Sequence, residues 1–152
     1  LWFSNEVFPA LLKQHPALIL HVAGSFSEEI EALRNKKQIV SHGFVPSSKA
    51  FISKHGIFVA PILSGSGIKM KVLEAMSLGV PCILSKHAAD GLDLPKIIPV
   101  CHNNEDFIKQ VSLLLQNEDL ARKVGAEGLN YIKQNYASGL VSKKIKDILT
   151  KA

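Results

Sequence analysis

The chain has 152 residues, 47% of them hydrophobic, which is long enough for one well-packed domain and too short for two ordinary ones. Its 18 lysines and arginines against 13 aspartates and glutamates give a net charge of +5, a moderate basic excess. Ten glycines and seven prolines are near average usage, which excludes a disordered or fibrous chain. No apolar run approaches the ~20 residues that a membrane-spanning helix needs.

Helices and strands are predicted to alternate along the chain. Residues 2–14 have apolar side chains at i, i+4 spacing and predict an amphipathic helix that ends before Pro16. Short apolar runs predict strands at residues 18–23, 38–41, 57–60, 80–84 and 97–100. The last of these should be an edge strand, because Pro99 cannot donate to a ladder. Apolar periodicity predicts further helices at residues 27–33, 46–56, 72–78, 104–115, 118–131 and 140–149.

The alternation of short apolar strands with helices is typical of parallel βαβ units whose sheet is covered on both faces. It predicts one α/β domain with a doubly wound parallel sheet, which is Rossmann-like. A βαβ unit begins with a strand, whereas this chain opens on a helix, without an initiator methionine or a signal peptide. We therefore expect the first strand to lie before Leu1, in a larger protein. That strand belongs near the middle of the sheet, so its absence should leave a gap, which a neighbouring chain, a shifted strand or further sequence fills.

The densest functional signal is the segment at residues 61–81, which runs from a strand end through a Gly/Ser loop into a helix. Ligands of open α/β sheets bind beyond the carboxyl ends of strands, and free N–H groups at a helix start attract phosphate. Gly65 and Gly67 would let a ligand approach the backbone closely. Lys69 and Lys71 put positive charge in the first helical turn, where the helix dipole alone disfavours it. The segment therefore predicts an anion site.

Two known phosphate-binding fingerprints do not fit this segment. The P-loop requires Ser or Thr after its lysine, whereas Met70 follows Lys69, and the glycine spacing also differs. The dinucleotide fingerprint G-x-G-x-x-G, started at Gly65, meets Met70 where its third glycine should stand. The Gly-x-Gly loop is therefore a weak signal until the residues around it are considered.

The run around the loop combines several specific parts in a fixed order. A strand ending in Pro leads into a Gly-rich loop, a Lys-Val-Leu-Glu-Ala-Met helix, a Gly, and a strand that opens with Pro. These parts are Val59-Ala60-Pro61, Gly65-Ser66-Gly67, Lys71 to Met76, Gly79 and Pro81-Cys82. The run resembles the nucleotide-sugar-binding C-terminal domain of retaining glycosyltransferases of the GT-B fold, family 4, also called group 1. The resemblance also takes in His21 to Ser25, His42 to Pro46 and Ala89 to Leu92, and so covers most of the chain.

The resemblance implies a role for Glu74. Many members of that family carry two glutamates eight positions apart, and the second, which binds the ribose hydroxyls of the donor nucleotide, matches Glu74. A carboxylate can accept hydrogen bonds from both hydroxyls of a vicinal diol. The first glutamate falls at Ser66, so this chain departs from the pattern. Ser66 could still donate to a sugar hydroxyl, but it carries no charge, and the identity of the donor sugar stays open.

The resemblance also implies backbone contacts to the donor. The amides of Gly67, Ile68 and Lys69 match positions that hold the transferred sugar or the diphosphate. Val45 matches a loop residue that contacts the base through its backbone. The Arg/Lys pair that usually neutralises the diphosphate has no counterpart in this chain. Lys69 and Lys71 are therefore candidate substitutes for it.

These matches imply that the chain binds a UDP- or GDP-sugar, without a metal or other cofactor, for retaining hexosyl transfer to a glycan or lipid-linked acceptor. The acceptor site and the catalytic groups would lie in an N-terminal domain of the same protein. No catalytic residue is assigned here, and the chain alone should be inactive. Two alternatives remain at this stage. One is a nucleotide-sugar epimerase of the same fold, and the other is a non-catalytic nucleotide-binding module.

Charge and cysteine usage suggest where the protein acts. Four lysines on the predicted last helix form a solvated face or a peripheral contact with anionic lipid: Lys143, Lys144, Lys146 and Lys151. A nucleic-acid partner fits poorly, since two Tyr, one Trp and two Arg offer little stacking or base readout. The two cysteines lack metal spacing and are too few for a disulfide framework. We expect a cytoplasmic protein, with peripheral contact at the inner face of the membrane as an option.

Overall fold

The computed structural model describes residues 1–25 and 38–136 of the chain. Two predicted helices, at residues 27–33 and 140–149, lie outside the described residues, and so does the predicted lysine patch. Among the described residues, no helix is long and apolar enough to cross a membrane.

The described elements follow the predicted alternation. The strands are Leu20–Val22 (β1), Ile39–Ser41 (β2), Phe58–Ala60 (β3), Cys82–Ser85 (β4) and Val100–Cys101 (β5). The helices are Phe8–Gln14 (α1), Ser48–Ser53 (α2), Met70–Ser77 (α3), Lys86–Ala89 (α4), Asn104–Gln116 (α5) and Glu118–Tyr136 (α6). A π-helical turn at Phe3–Val7 leads directly into α1, so the predicted opening helix is confirmed with one wide turn at its start.

Two elements differ from the prediction. The strand expected at residues 97–100 begins only at Val100, as β5. It begins late because the N–H of Ile98 closes a turn onto the Pro95 carbonyl, at 2.9 Å. Pro99 contributes only its carbonyl, which accepts from the N–H of Leu84 at 3.0 Å. The short helix α4 was not predicted. It begins where the buried Ser85 hydroxyl accepts from the N–H of Ala88.

The strands pair in parallel, and β4 is covered on both faces. β1 pairs with β2, and β4 lies between β3 and β5, with Ile83 opposite Val59. Along β4, Ile83 packs with α5 and the opening helix through Phe107. Its neighbour Leu84 points to the other face, where it packs with Met76 of α3. The predicted doubly wound, Rossmann-like α/β domain is therefore confirmed.

The strands form two separate sheets, β1–β2 and β3–β4–β5. Residues of both β1 and β3, among them Leu20, Val22, Phe58 and Val59, line one cleft of about 1010 Å³. No described strand lies between β1 and β3, and a strand before Leu1 stays a prediction. Val45, Ser48 and Lys71, which lie near the carboxyl ends of the strands, also line this cleft.

Helix α6 packs closely on the end of α3 through two glycines. A Cβ at Gly125 would lie 2.1 Å from the carbonyl oxygen of Gly79, whereas one at Gly128 would lie 3.3 Å from Cγ of Met76. Small residues at these positions let the helix backbone approach its neighbour directly. This contact holds the far end of the helix that carries the candidate site.

The described cysteines are structural. Cys82 and Cys101 are buried free thiols. Burial raises the pKa of Cys82 to about 12, and burial together with Asp106 raises the pKa of Cys101 to about 12. Both thiols therefore stay protonated and unreactive, and they pack as small apolar groups.

Candidate functional site

A glycine-containing loop connects β3 to α3 at the carboxyl end of the sheet. Gly65 and Gly67 have φ angles of +112° and +78°, which side-chain-bearing residues rarely adopt. The start of the loop is anchored by the Ser85 hydroxyl, which donates to the Ile62 carbonyl at 2.6 Å. Helix α3 begins after Lys69, whose side chain makes no capping hydrogen bond. The first N–H groups of this helix therefore have no side-chain acceptor at the N-cap.

The predicted loop residues lie at the surface. Ser66, Gly67 and Ile68 are exposed, and the Ile68 side chain is 43% exposed. The Lys69 ammonium folds back over the loop and donates to the Ser66 carbonyl at 3.0 Å. Its charge is therefore held over the Gly/Ser loop, where the sequence predicts an anion.

Glu74 lies in a hydrogen-bonded group that joins α2 to α3. The Ser48 hydroxyl lies 2.9 Å from Oε1 and 3.0 Å from Oε2 of Glu74. The Lys71 ammonium donates to Oε2 of Glu74 at 2.6 Å and to the Ser48 hydroxyl at 2.8 Å. The Glu74 side chain is only 17% exposed, whereas that of Lys71 is 64% exposed. The carboxylate is thus held in place while Lys71 remains open to solvent.

The electrostatics of this group favour an ionised carboxylate. The hydrogen bond from Lys71 lowers the pKa of Glu74, although partial burial acts in the opposite direction and raises it. The hydrogen bond from Ser48 and the charge of Lys49 also lower this pKa. A lowered pKa in the folded state stabilises the fold above the ordinary value of 4.5, and this stabilisation is lost as the pH falls through the lowered pKa. Glu74 is therefore a permanent hydrogen-bond acceptor at neutral pH.

Part of the predicted set lies at one end of the cleft. Val45, Ser48 and Lys71 line the cleft, and Glu74 contacts two of them. The loop that holds Val45 follows β2 and is tied to the end of β1, since the N–H of Gly24 donates to the Gly43 carbonyl at 2.8 Å. Ser66, Gly67 and Ile68 do not line this cleft and lie on the exposed loop beside it.

Sequence reasoning did not find Ser48. The Pro-Ser-Ser run predicted only a helix start, and Ser47 fulfils that role by accepting from the N–H of Ala50 at 3.2 Å. Because one serine is enough for the cap, the presence of Ser48 beside Ser47 was the only sequence signal that a second hydroxyl could bond elsewhere.

Three histidines that are far apart in the sequence meet beside the cleft. Nδ1 of His21 lies 2.9 Å from Nε2 of His42, and the rings of His21 and His55 stack at 4.0 Å. Phe51 contacts His55 edge-on at 4.8 Å. Burial lowers the pKa of His21, and His42 adds to the effect. Burial also lowers the pKa of His55, reinforced by His21, His42 and the Lys54 ammonium.

This histidine cluster (His21, His42, His55) should make the fold sensitive to acid. Because His21 and His55 resist protonation when folded, the unfolded chain takes up protons first as the pH falls below 6.5, and stability falls with it. The melting temperature should decrease from about pH 7.5 to about pH 5.5, and His55→Gln should reduce that decrease. His87→Gln measures the effect of losing a histidine elsewhere. An unchanged pH dependence in His55→Gln would contradict this account.

Within residues 1–25 and 38–136, no group of three or more His, Cys, Asp or Glu side chains could hold a metal ion.

Solved structures share this fold. HepE of Anabaena, crystallised with UDP, superimposes with a TM-score of 0.83 at 10% identity, covering 99% of this chain and 46% of HepE. A mutant TarM of S. aureus, crystallised with fondaparinux, alpha-GlcNAc-glycerol and UDP, gives 0.77 at 18% identity, covering 93% and 31%. The C-terminal domain of the group 1 glycosyl transferase LpcC of Francisella tularensis gives 0.70 at 20% identity, covering 89% and 80%.

Sequence comparison identifies the family. A 44.6 kDa protein of the cps region of Klebsiella pneumoniae is 22% identical over 156 residues, covering 95% of this chain and 40% of that protein. The chain thus spans less than half the length of this curated relative. The model of the family "Glycosyl transferases group 1" matches residues 1–117, which is well over half of the chain. This match confirms the resemblance seen around the Gly/Ser loop, and the chain belongs to the glycosyl transferases of group 1.

Proposed function

We propose that this chain binds the nucleoside-diphosphate sugar donor of a glycosyltransferase, at the Gly/Ser loop and the start of α3. The observation that carries the proposal is the ionised Glu74 carboxylate, held by Ser48 and Lys71 at the end of the cleft. It lies in a helix whose start has no side-chain cap. HepE and TarM, which share the fold, were both crystallised with UDP, and this supports a nucleoside diphosphate as the ligand.

Each part of the donor has a matching group in this proposal. Glu74 accepts hydrogen bonds from the ribose diol, and the backbone near Val45 contacts the base. The diphosphate faces the amides of Gly67, Ile68 and Lys69, where the helix dipole and the Lys69 ammonium offset its negative charge. Ser66, without a charge, faces the sugar and exchanges neutral hydrogen bonds with its hydroxyls.

The proposal includes the chemistry of transfer. The bond between the anomeric carbon and the diphosphate oxygen breaks, and negative charge develops on the leaving diphosphate. Fixed amides and a lysine aimed at that charge stabilise the transition state more than the ground state. In the proposal they do this without a metal ion. The oxygen of an acceptor hydroxyl attacks the anomeric carbon from the face that the diphosphate leaves and forms the new glycosidic bond, while the hydroxyl proton passes to the departing diphosphate. The configuration is therefore retained.

The acceptor belongs to the wider proposal. A glycan or lipid-linked acceptor would bind an N-terminal domain of the same protein. This chain alone then holds the donor but does not transfer the sugar. The complete enzyme would act in the cytoplasm, with peripheral membrane contact where its acceptor is lipid-linked.

Calorimetric titration of the chain tests the proposed site. UDP or GDP should bind weakly, and each diphosphate should bind more tightly than its monophosphate, because the second phosphate reaches the start of α3. An absence of heat with both diphosphates would contradict the proposal. Assays of the complete protein with an acceptor then separate the function classes. Transfer of the sugar supports the proposal. Epimerised nucleotide sugar would indicate the epimerase instead, and binding without any turnover would indicate the non-catalytic module.

Lys69→Gln should lower the affinity for UDP about fivefold, because a charge-assisted contact is lost at a partly exposed position. The loss should shrink at high salt, which already screens the charge. Lys123→Gln, at an exposed position on α6, is the matched control and should leave the affinity unchanged. Equal affinities for Lys69→Gln and the control would show that Lys69 does not contact the diphosphate.

A further inference from the structure

The Ser48 hydroxyl bridges the two oxygens of the Glu74 carboxylate. Its distances to Oε1 and Oε2 are 2.9 and 3.0 Å, so its single proton is shared almost equally between them. The hydroxyl in turn accepts from the Lys71 ammonium at 2.8 Å. Ser48, Lys71 and Glu74 thus form a closed three-membered ring of hydrogen bonds, since Lys71 also donates to Oε2 of Glu74.

The Ser48 hydroxyl is not needed to cap its own helix. Ser47, in an extended conformation, provides the cap of α2, and Ser48 is the first residue of that helix. Ser48 precedes Glu74 by 26 positions and lies on a different helix, half-buried against the cleft. Its contact with Glu74 therefore serves the carboxylate rather than the start of α2.

The ring leaves part of the carboxylate available. An ionised carboxylate offers about four acceptor positions on its two oxygens. Ser48 contacts both oxygens and Lys71 contacts Oε2, so the acceptor position left open is on Oε1. The second hydroxyl of a bound diol would take the place of the exposed Lys71 ammonium on Oε2. The last torsion of a glutamate side chain is broad and poorly fixed by itself, so a hydroxyl that contacts both oxygens sets the plane of the carboxylate.

We infer that Ser48 is a positioning residue, which orients Glu74 to accept hydrogen bonds from both hydroxyls of the ribose 2′,3′-diol. This inference rests on the proposed function, in which Glu74 binds the donor nucleotide. Ser48 itself does not contact the nucleotide. Its effect should therefore appear in how well the protein distinguishes a ribonucleotide from a 2′-deoxyribonucleotide, since only the former presents the diol.

The test is titration of the wild-type chain and four serine variants with UDP and 2′-deoxy-UDP. Wild-type chain should prefer UDP. Ser48→Ala should bind UDP about fivefold more weakly and 2′-deoxy-UDP nearly as well as wild type, so that the preference falls. Ser48→Thr keeps the hydroxyl and should restore the preference. Ser53→Ala removes a hydroxyl of the same helix, which donates only to the Ala50 carbonyl, and should behave as wild type.

The outcomes separate this inference from the function on which it rests. If wild type binds UDP and Ser48→Ala keeps the full preference over 2′-deoxy-UDP, the positioning role is wrong and the donor site stands. Equal losses for both nucleotides, without rescue by Ser48→Thr, would also contradict it, because they indicate a general structural effect. If wild type binds neither nucleotide, the proposed function is wrong, and the positioning role that rests on it is wrong as well. Ser47→Ala should lower the melting temperature through loss of the cap without changing the preference.

Discussion

Changing Glu74 to glutamine is expected to lower the affinity for UDP about thirtyfold, which corresponds to about 2 kcal/mol. Glutamine has nearly the same shape, but its amide carries no charge and presents one acceptor oxygen instead of two. The diol would therefore lose both charge-assisted hydrogen bonds and face a donor where it needs an acceptor. Glu74→Ala should reduce the affinity at least as much.

Stability is the control for this result. The Lys71–Glu74 pair is partly exposed, and such pairs contribute about 0–1 kcal/mol, so the melting temperature of either Glu74 variant should change little. Glu127→Gln, on the exposed face of α6, removes a carboxylate elsewhere and should bind UDP as wild type does. If both Glu74 variants kept their affinity while remaining folded, Glu74 would be a structural residue of α3.

The second large effect is expected from Gly125→Ala, which should unfold roughly 5–10 °C below wild type, because its destabilisation of about 2–3 kcal/mol is large for a domain of this size. The new Cβ would lie 2.1 Å from the carbonyl oxygen of Gly79. Because this oxygen belongs to the backbone, it cannot move aside as the end of a flexible side chain can. Helix α6 must shift, and this outweighs the ~1 kcal/mol that alanine gains over glycine in a helix.

Gly128→Ala is the matched control, one turn along the same helix. Its Cβ would lie 3.3 Å from Cγ of Met76, a flexible side chain that can move by a few tenths of an ångström. Its stability should therefore stay within about 1 kcal/mol of wild type. Thermal unfolding measured in parallel decides the matter. Equal melting temperatures for the two variants would contradict the close backbone contact of α6 with the end of α3.

Local sequence patterns predicted most of the fold. The alternation of short apolar strands with periodic helices was sufficient for the doubly wound class, because burial on both sheet faces requires it. Residues 97–100 were misplaced because Ile98 uses its N–H in a turn, which an apolar run does not reveal. Helix α4 is four residues long, too short for periodicity to be recognised.

Apart from Val45, which the family resemblance supplied, the candidate site was predicted only where its residues are close in the chain. The segment from Gly65 to Glu74 is continuous, so its composition and spacing could be interpreted directly. Ser48 reaches Glu74 from another helix, and His21 meets His42 and His55 only after the strands have paired. Such contacts depend on tertiary packing, and beyond the second serine at Ser48 the sequence carries no signal of them.

The central claim is that a donor nucleotide binds at the Gly/Ser loop and α3. Amide NMR spectra of the ¹⁵N-labelled chain during titration with UDP test it most directly, since they report on every backbone N–H at once. The account predicts that the largest shifts occur at Val45, at Gly65 to Lys71 and at Glu74, with small shifts along α5. An unchanged spectrum at saturating UDP, or shifts confined to residues away from these, would contradict it.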